Sequence, residues 1–175
     1  MFRLKTNTLI KFGICFVLVY SVVSLDAIAQ QMTKISGKMT CAYTDRQAYE
    51  SGYTEGHFLS LAESDGINIS TGANVFMDGA QVLNFSFADL VKGNGPHQGY
   101  VKLLQKDDVV ISKWQGKITT IMSDEGTPLT TFDGTYSYVK GLGKFNNIQG
   151  KGTFRGKFIS QNIYTVEWEG EYSVQ

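Results

Sequence analysis

The feature that most constrains this chain is a series of short runs in which apolar and polar residues alternate, set at nearly even spacing and punctuated by turn residues. Alternation of period two is the signature of a strand with one buried face, whereas a helix needs apolar residues at i, i+3 and i+4. Runs of this kind fall at residues 34–43, 56–63, 66–71, 79–91, 98–105, 109–122, 130–140, 150–160 and 162–174. Between them, Ser64-Asp65-Gly66, Lys106-Asp107-Asp108 and Asp124-Glu125-Gly126-Thr127-Pro128 carry turn chemistry. Helical periodicity is nearly absent, and the one stretch open to a helical turn or two is 45–53. Eight or nine strands joined by short loops predict an all-β domain, an antiparallel barrel or sandwich. Such a chain has no βαβ unit to carry a Walker loop or a dinucleotide fingerprint.

The alternation also assigns faces. In the last run Tyr164, Val166, Trp168, Gly170, Tyr172 and Val174 share one phase, and Glu167, Glu169 and Glu171 share the other, so the aromatic phase is the buried one. The run before it places Phe154, Gly156 and Phe158 inward, with Arg155 and Lys157 outward and able to face the glutamates. Thr130, Phe132, Gly134, Tyr136 and Tyr138 form another inward set, as do Val110, Ser112, Trp114, Gly116, Ile118 and Met122. Glycines recurring among inward rings suit a small closed barrel, where a missing side chain makes room for a ring or a bend. The rings themselves are numerous enough to occupy most of an eight-stranded interior, which predicts a pocket at one mouth and not a deep well.

The start of the chain reads as an address. Arg3, Lys5 and Lys11 are followed by residues 12–25 without a charge, and Ala27-Ile28-Ala29 sets small residues before a cut after Ala29. That order predicts a cleaved signal peptide over 1–29 and a single exported domain, periplasmic or extracellular, over 30–175. Fourteen uncharged residues rise about 21 Å as a helix, short of the roughly 30 Å hydrocarbon core, and no later run is apolar for long enough, so stable membrane insertion after cleavage is not expected. Cleavage removes three basic residues and one acidic residue from a neutral chain, leaving a net charge of −2 and one cysteine, Cys41. A lone cysteine cannot close an internal disulfide, and this charge gives no electrostatic case for nucleic acid.

One segment carries a family likeness. Residues 134–154, Gly-Thr-Tyr-Ser-Tyr-Val-Lys-Gly-Leu-Gly-Lys-Phe-Asn-Asn-Ile-Gln-Gly-Lys-Gly-Thr-Phe, with the closing Trp168-Glu169-Gly170-Glu171-Tyr172 and the run Asp89-Leu90-Val91-Lys92-Gly93-Asn94-Gly95-Pro96, resemble allene oxide cyclase-like and dirigent-like barrels, bacterial secreted members above all. The resemblance covers about the last 100 residues and fades toward the start. It implies a single closed antiparallel β-barrel of about eight strands, calycin-like, whose interior can hold a hydrophobic molecule. The plant cyclase's catalytic residues find no counterparts here, so the reaction does not transfer with the fold.

Few residues are equipped for chemistry. His57, His97 and Cys41 fall on different runs without metal-ligand spacing, so neither a metal nor another cofactor is expected. Cys41 shares its phase with Met39 and Tyr43, which reads as a buried, inert thiol. Asn68-Ile69-Ser70 and Asn84-Phe85-Ser86 match the glycosylation pattern, which has meaning only in a eukaryotic secretory route. Two residues interrupt otherwise apolar phases: Asp89 after Leu83, Phe85 and Phe87, and His57 before Leu59 and Leu61. One reading puts both at strand ends, Asp89 bonding amides of the glycine-rich loop that follows and His57 at the rim; in the other they face inward and are the acid/base candidates, with the His97-containing loop beside them. Tyr43, Trp114, Tyr136 and His97 are the candidates to line and orient a ligand. Three functions follow: binding of a small apolar molecule, a cofactor-free cyclase or isomerase on the same barrel, or a filled barrel acting through its surface.

Overall fold

The computed structural model describes residues 31–175, so the predicted signal peptide and its cut lie outside the described residues. Eight strands follow in order: β1 Thr33–Glu50, β2 His57–Ser70, β3 Gln81–Val91, β4 Gly95–Gln105, β5 Asp108–Met122, β6 Pro128–Leu142, β7 Gln149–Phe158 and β8 Ile163–Ser173. Each pairs antiparallel with its neighbour in sequence, and β1 also pairs with β8, which closes the barrel. A single 3-10 turn, Gly143–Phe145, links β6 to β7. Closure leaves no free sheet edge to attract another strand.

Two boundaries differ from the sequence reading. The runs at 56–63 and 66–71 are one strand, because Ser64, Asp65 and Gly66 pair with Tyr43, Ala42 and Cys41 on one side and with Asn84, Leu83 and Val82 on the other. Gly66 permits close strand approach instead of a turn, since a Cβ there would lie 2.2 Å from the Thr40 carbonyl oxygen. The stretch 45–53 is not helical: β1 continues through a register shift between Tyr43 and Asp45 and pairs with β2 as far as Glu50. Ladder pairing along β2 outweighs the weak local helical tendency.

Inward rings sit where the alternation of β5 to β8 puts them. Trp114, Phe132, Tyr164 and Trp168 are buried, and Phe132 and Tyr164 meet edge to face with centroids 5.8 Å apart. The glycine pattern has the expected cause. A Cβ on Gly156 would lie 2.3 Å from the Phe132 ring, and one on Gly134 would lie 2.6 Å from that of Phe154.

The two ends of the barrel are unlike. At one end the β2–β3 connection folds into the lumen, burying Phe76, Met77 and Ala80 against Phe145 and Ile148. Asn68, buried on β2, latches this floor: its Nδ2 donates to the carbonyls of Phe76 (3.1 Å) and Met77 (2.8 Å), while its Oδ1 accepts from Trp168 Nε1 (3.0 Å). The other end, where β1–β2, β3–β4, β5–β6 and β7–β8 turn, is open. The barrel is a cup.

Candidate functional site

The cup encloses a cavity of about 990 Å³, lined from Phe76 and Trp168 near the floor to Thr130, Phe158 and Asn162 at the mouth. The interior is therefore not filled by its rings. The reason is an inversion of phase on β2 and β3. Ser60, Ala62, Val82, Asn84, Ser86, Ala88 and Leu90 line the cavity, and the larger side chains of these two strands point outward, leaving Leu61 54% and Phe85 47% exposed. The apolar phase of these strands is the outer one, opposite to the assignment drawn from hydrophobicity. One wall is thus small and polar, and it faces an aromatic wall built by β5 to β8.

A hydrogen-bond network ties these walls together. Ser64 Oγ and the Tyr164 hydroxyl lie 2.6 Å apart, and Asn84 Nδ2 donates to both, at 3.3 and 3.2 Å. Asn84 Oδ1 in turn accepts from Trp114 Nε1 at 3.0 Å. The register supplies the reason: Ser64 is paired with Asn84, which brings β2 and β3 to the same level as the ring of Tyr164. Every polar atom in this cluster has a partner, which is what makes its burial tolerable.

The aromatic depth of the cup is uncharged near neutral pH. Burial pushes the Cys41 thiol up to about 11, a rise that a hydrogen bond with Tyr164 partly offsets. Burial likewise raises the hydroxyls of Tyr43, Tyr136, Tyr138 and Tyr164, which stay protonated. His97, buried among the rings of Trp114, Phe132 and Phe154, is held down to about 4, again mainly by desolvation. Its buried Nε2 makes no hydrogen bond, and the neighbouring Asp133 offsets the depression only in part. No carboxylate lines the cup among the described residues, and the lining cations are Arg46, whose guanidinium sits 5.3 Å over the Tyr43 ring, and Lys157. The described residues hold no cluster of three or more groups suited to a metal.

Of the residues singled out in the sequence, Tyr43, Trp114, Tyr136 and His97 all line the cavity. His57 and Asp89 come together, with Nε2 2.6 Å from Oδ1, but outside the cup, on the apolar outer phase of β2 and β3. Both lie at strand ends, one of the two placements read from the sequence, and the other, inward, rested on that inverted phase. Sequence reasoning missed Ser64, read as part of a turn, and Asn84 and Asn68, noted only as matches to a glycosylation pattern. It also missed Ser51, whose Oγ lies 2.7 Å from His57 Nδ1.

A scan of protein-family models finds no match, and a search of curated proteins finds none. Among solved structures the chain is similar to a pterocarpan synthase dirigent protein, with 9% sequence identity and a TM-score of 0.47, over 83% of this chain and 92% of that one. No helix among the described residues is long and apolar enough to cross a membrane.

Proposed function

We propose that this chain is an exported barrel, of the allene oxide cyclase-like and dirigent-like kind that residues 134–154 resemble, which takes up a small uncharged apolar molecule in its cup. One observation carries this reading: the inverted wall of β2 and β3. A barrel stabilised only by its own core would turn Leu61, Phe85 and Phe87 inward, burying apolar area worth about 25 cal/mol per Å². Here serines, an asparagine and alanines face the lumen instead, leaving space bounded by rings on the far side. Such a site is an apolar cavity with a few fixed polar groups, the usual make-up of a small-molecule pocket. It supports the binding reading over a barrel filled by its own side chains.

The uncharged depth of the cup sets the class of guest. A buried anion would lose its hydration with no cation in the depth of the cup to replace it, whereas a neutral molecule bearing a hydroxyl or carbonyl loses little. Titration with the neutral fluorophore N-phenyl-1-naphthylamine tests this. Saturable binding is expected in the wild type, and Ala88→Trp or Ser86→Phe, which place a ring in the cavity, should abolish it without lowering the melting temperature. Leu61→Ser, on the outer face, should leave it intact. Equal binding by wild type and both filled variants would place the probe on the surface and remove the support.

A further inference from the structure

We propose that Ser51, His57 and Asp89 form a second site, a hydrogen-bonded serine–histidine–aspartate relay on the outer rim of the barrel that accepts an acyl group from small uncharged esters of apolar acids. It is independent of the cup. The antiparallel register sets Leu59 opposite Asp89 and His57 opposite Val91, so His57 and Asp89 are diagonal neighbours on one face. That is why Nε2 reaches Oδ1 at 2.6 Å. Ser51 follows the last residue of β1, and its amide donates to the His57 carbonyl at 3.0 Å, closing the turn and holding Oγ 2.7 Å from Nδ1.

The chain of bonds suits a base at Nδ1. In the form that acts as a base, the imidazole donates from Nε2 to the Asp89 carboxylate, which only accepts, and presents a lone pair at Nδ1. Ser51 Oγ already accepts from the Tyr53 amide at 3.2 Å, so in that form its own hydrogen goes to the lone pair 2.7 Å away. Nucleophile, base and orienting carboxylate are thus in line, with the two ring nitrogens exchanged relative to the familiar hydrolytic triad; roles and geometry define such a unit, not ring labels. No acceptor among the described residues takes the amide of Gly52, the residue after the nucleophile, which leaves it available to a developing oxyanion.

The surroundings specify the acyl group. Leu59, Leu61, Phe87 and Phe85 extend from the relay along the outer phase of β2 and β3. In the reaction Oγ bonds to the ester carbonyl carbon as its proton passes to Nδ1, and Asp89 stabilises the imidazolium through Nε2–H. The carbonyl–alkoxy bond then breaks and the proton leaves with the alcohol. Water repeats the sequence on the acyl-serine, giving the free acid and restoring Ser51.

Two measurements on the intact protein test the proposal: covalent labelling by an alkyl fluorophosphonate mapped by peptide mass spectrometry, and hydrolysis of p-nitrophenyl butyrate. The label is expected on Ser51 at least tenfold faster than on Ser123, a half-buried serine at the β5–β6 turn that also accepts an amide (Thr127, 3.0 Å) but has no imidazole partner. Ser51→Ala should abolish both signals. Asp89→Asn should lower kcat at least tenfold with KM unchanged, and Asp89→Glu, which restores a carboxylate, should recover part of it. Labelling of Ser51 no faster than of Ser123 in the wild type, or full activity in Asp89→Asn, would overturn the relay and leave Ser51 as a turn-forming residue.

Discussion

Replacing Asn68 by alanine should unlatch the floor of the cup. The side chain is completely buried and makes three hydrogen bonds, two to the carbonyls of Phe76 and Met77 and one from Trp168 Nε1. Removing it strands two buried groups, the Phe76 carbonyl and Trp168 Nε1, each costing about 1–3 kcal/mol when left unsatisfied, and takes one of two bonds from the Met77 carbonyl, which keeps the Ala80 amide. The full sum is not reached, because the Phe76–Met77 segment can lift and let its carbonyls meet water, at the expense of the packing of both side chains. A loss of about 3–5 kcal/mol is therefore expected, a large share of the ~5–15 kcal/mol that holds a domain of this size together. Urea denaturation followed by tryptophan fluorescence gives the value, since Trp168 is itself one of the partners. Asn74→Ala is the comparison: Asn74 belongs to the same connection but is exposed and makes one bond, to the Lys34 carbonyl, so its loss should cost under about 1 kcal/mol. Equal effects of the two substitutions, or a cost below about 1 kcal/mol for Asn68→Ala, would refute the idea that this residue closes the cup.

Other outcomes follow from the same geometry. Trp168→Ala should cost about 3–5 kcal/mol and Glu169→Ala under about 1, because successive residues of β8 face opposite sides; denaturation curves with equal shifts would mean that the phase of β8 is wrong. His97 is held neutral in the fold, down to about 4 from 6.5, so the unfolded chain binds the extra proton between these values. Its stabilising contribution is complete above pH 6.5 and disappears as pH falls toward 4, and His97→Phe should lose that part of the acid slope in urea titrations at pH 7 and pH 4.5. Cys41 shows the opposite sense: its thiol is raised from 9 to about 11, so stability is full below pH 9 and declines as pH rises through 11. A thiol disulfide reagent at pH 8 should accordingly modify Cys41 only when urea unfolds the protein, and rapid modification of the native form would contradict its burial. N-terminal sequencing of exported material should begin at Gln30, and an intact Met1 in a membrane fraction would argue against cleavage.

Sequence alone determined the class of fold and most of its strands, because a strand with one solvated face records its own orientation. On β7 and β8 the charges Arg155, Glu167 and Glu169 mark the outside, so Trp168 and Phe154 could be set inward by local pattern. The same logic failed on β2 and β3, where both faces depart from the rule: the lumen side carries Ser60, Asn84 and Ser86, and the outer side carries Leu61, Phe85 and Phe87. Hydrophobicity identifies the face that avoids water only when the other face is in it, and a lining that borders a cavity breaks that equivalence. The pairing of His57 with Asp89 was legible as two interruptions of a pattern, but their side of the wall was not, nor was Ser51, which reaches them only through a turn. Tertiary structure also decided which end is open. The burial of Phe76 and Met77 depends on a buried asparagine meeting two carbonyls and an indole from a strand 100 positions away, contacts that only closure of the barrel brings together.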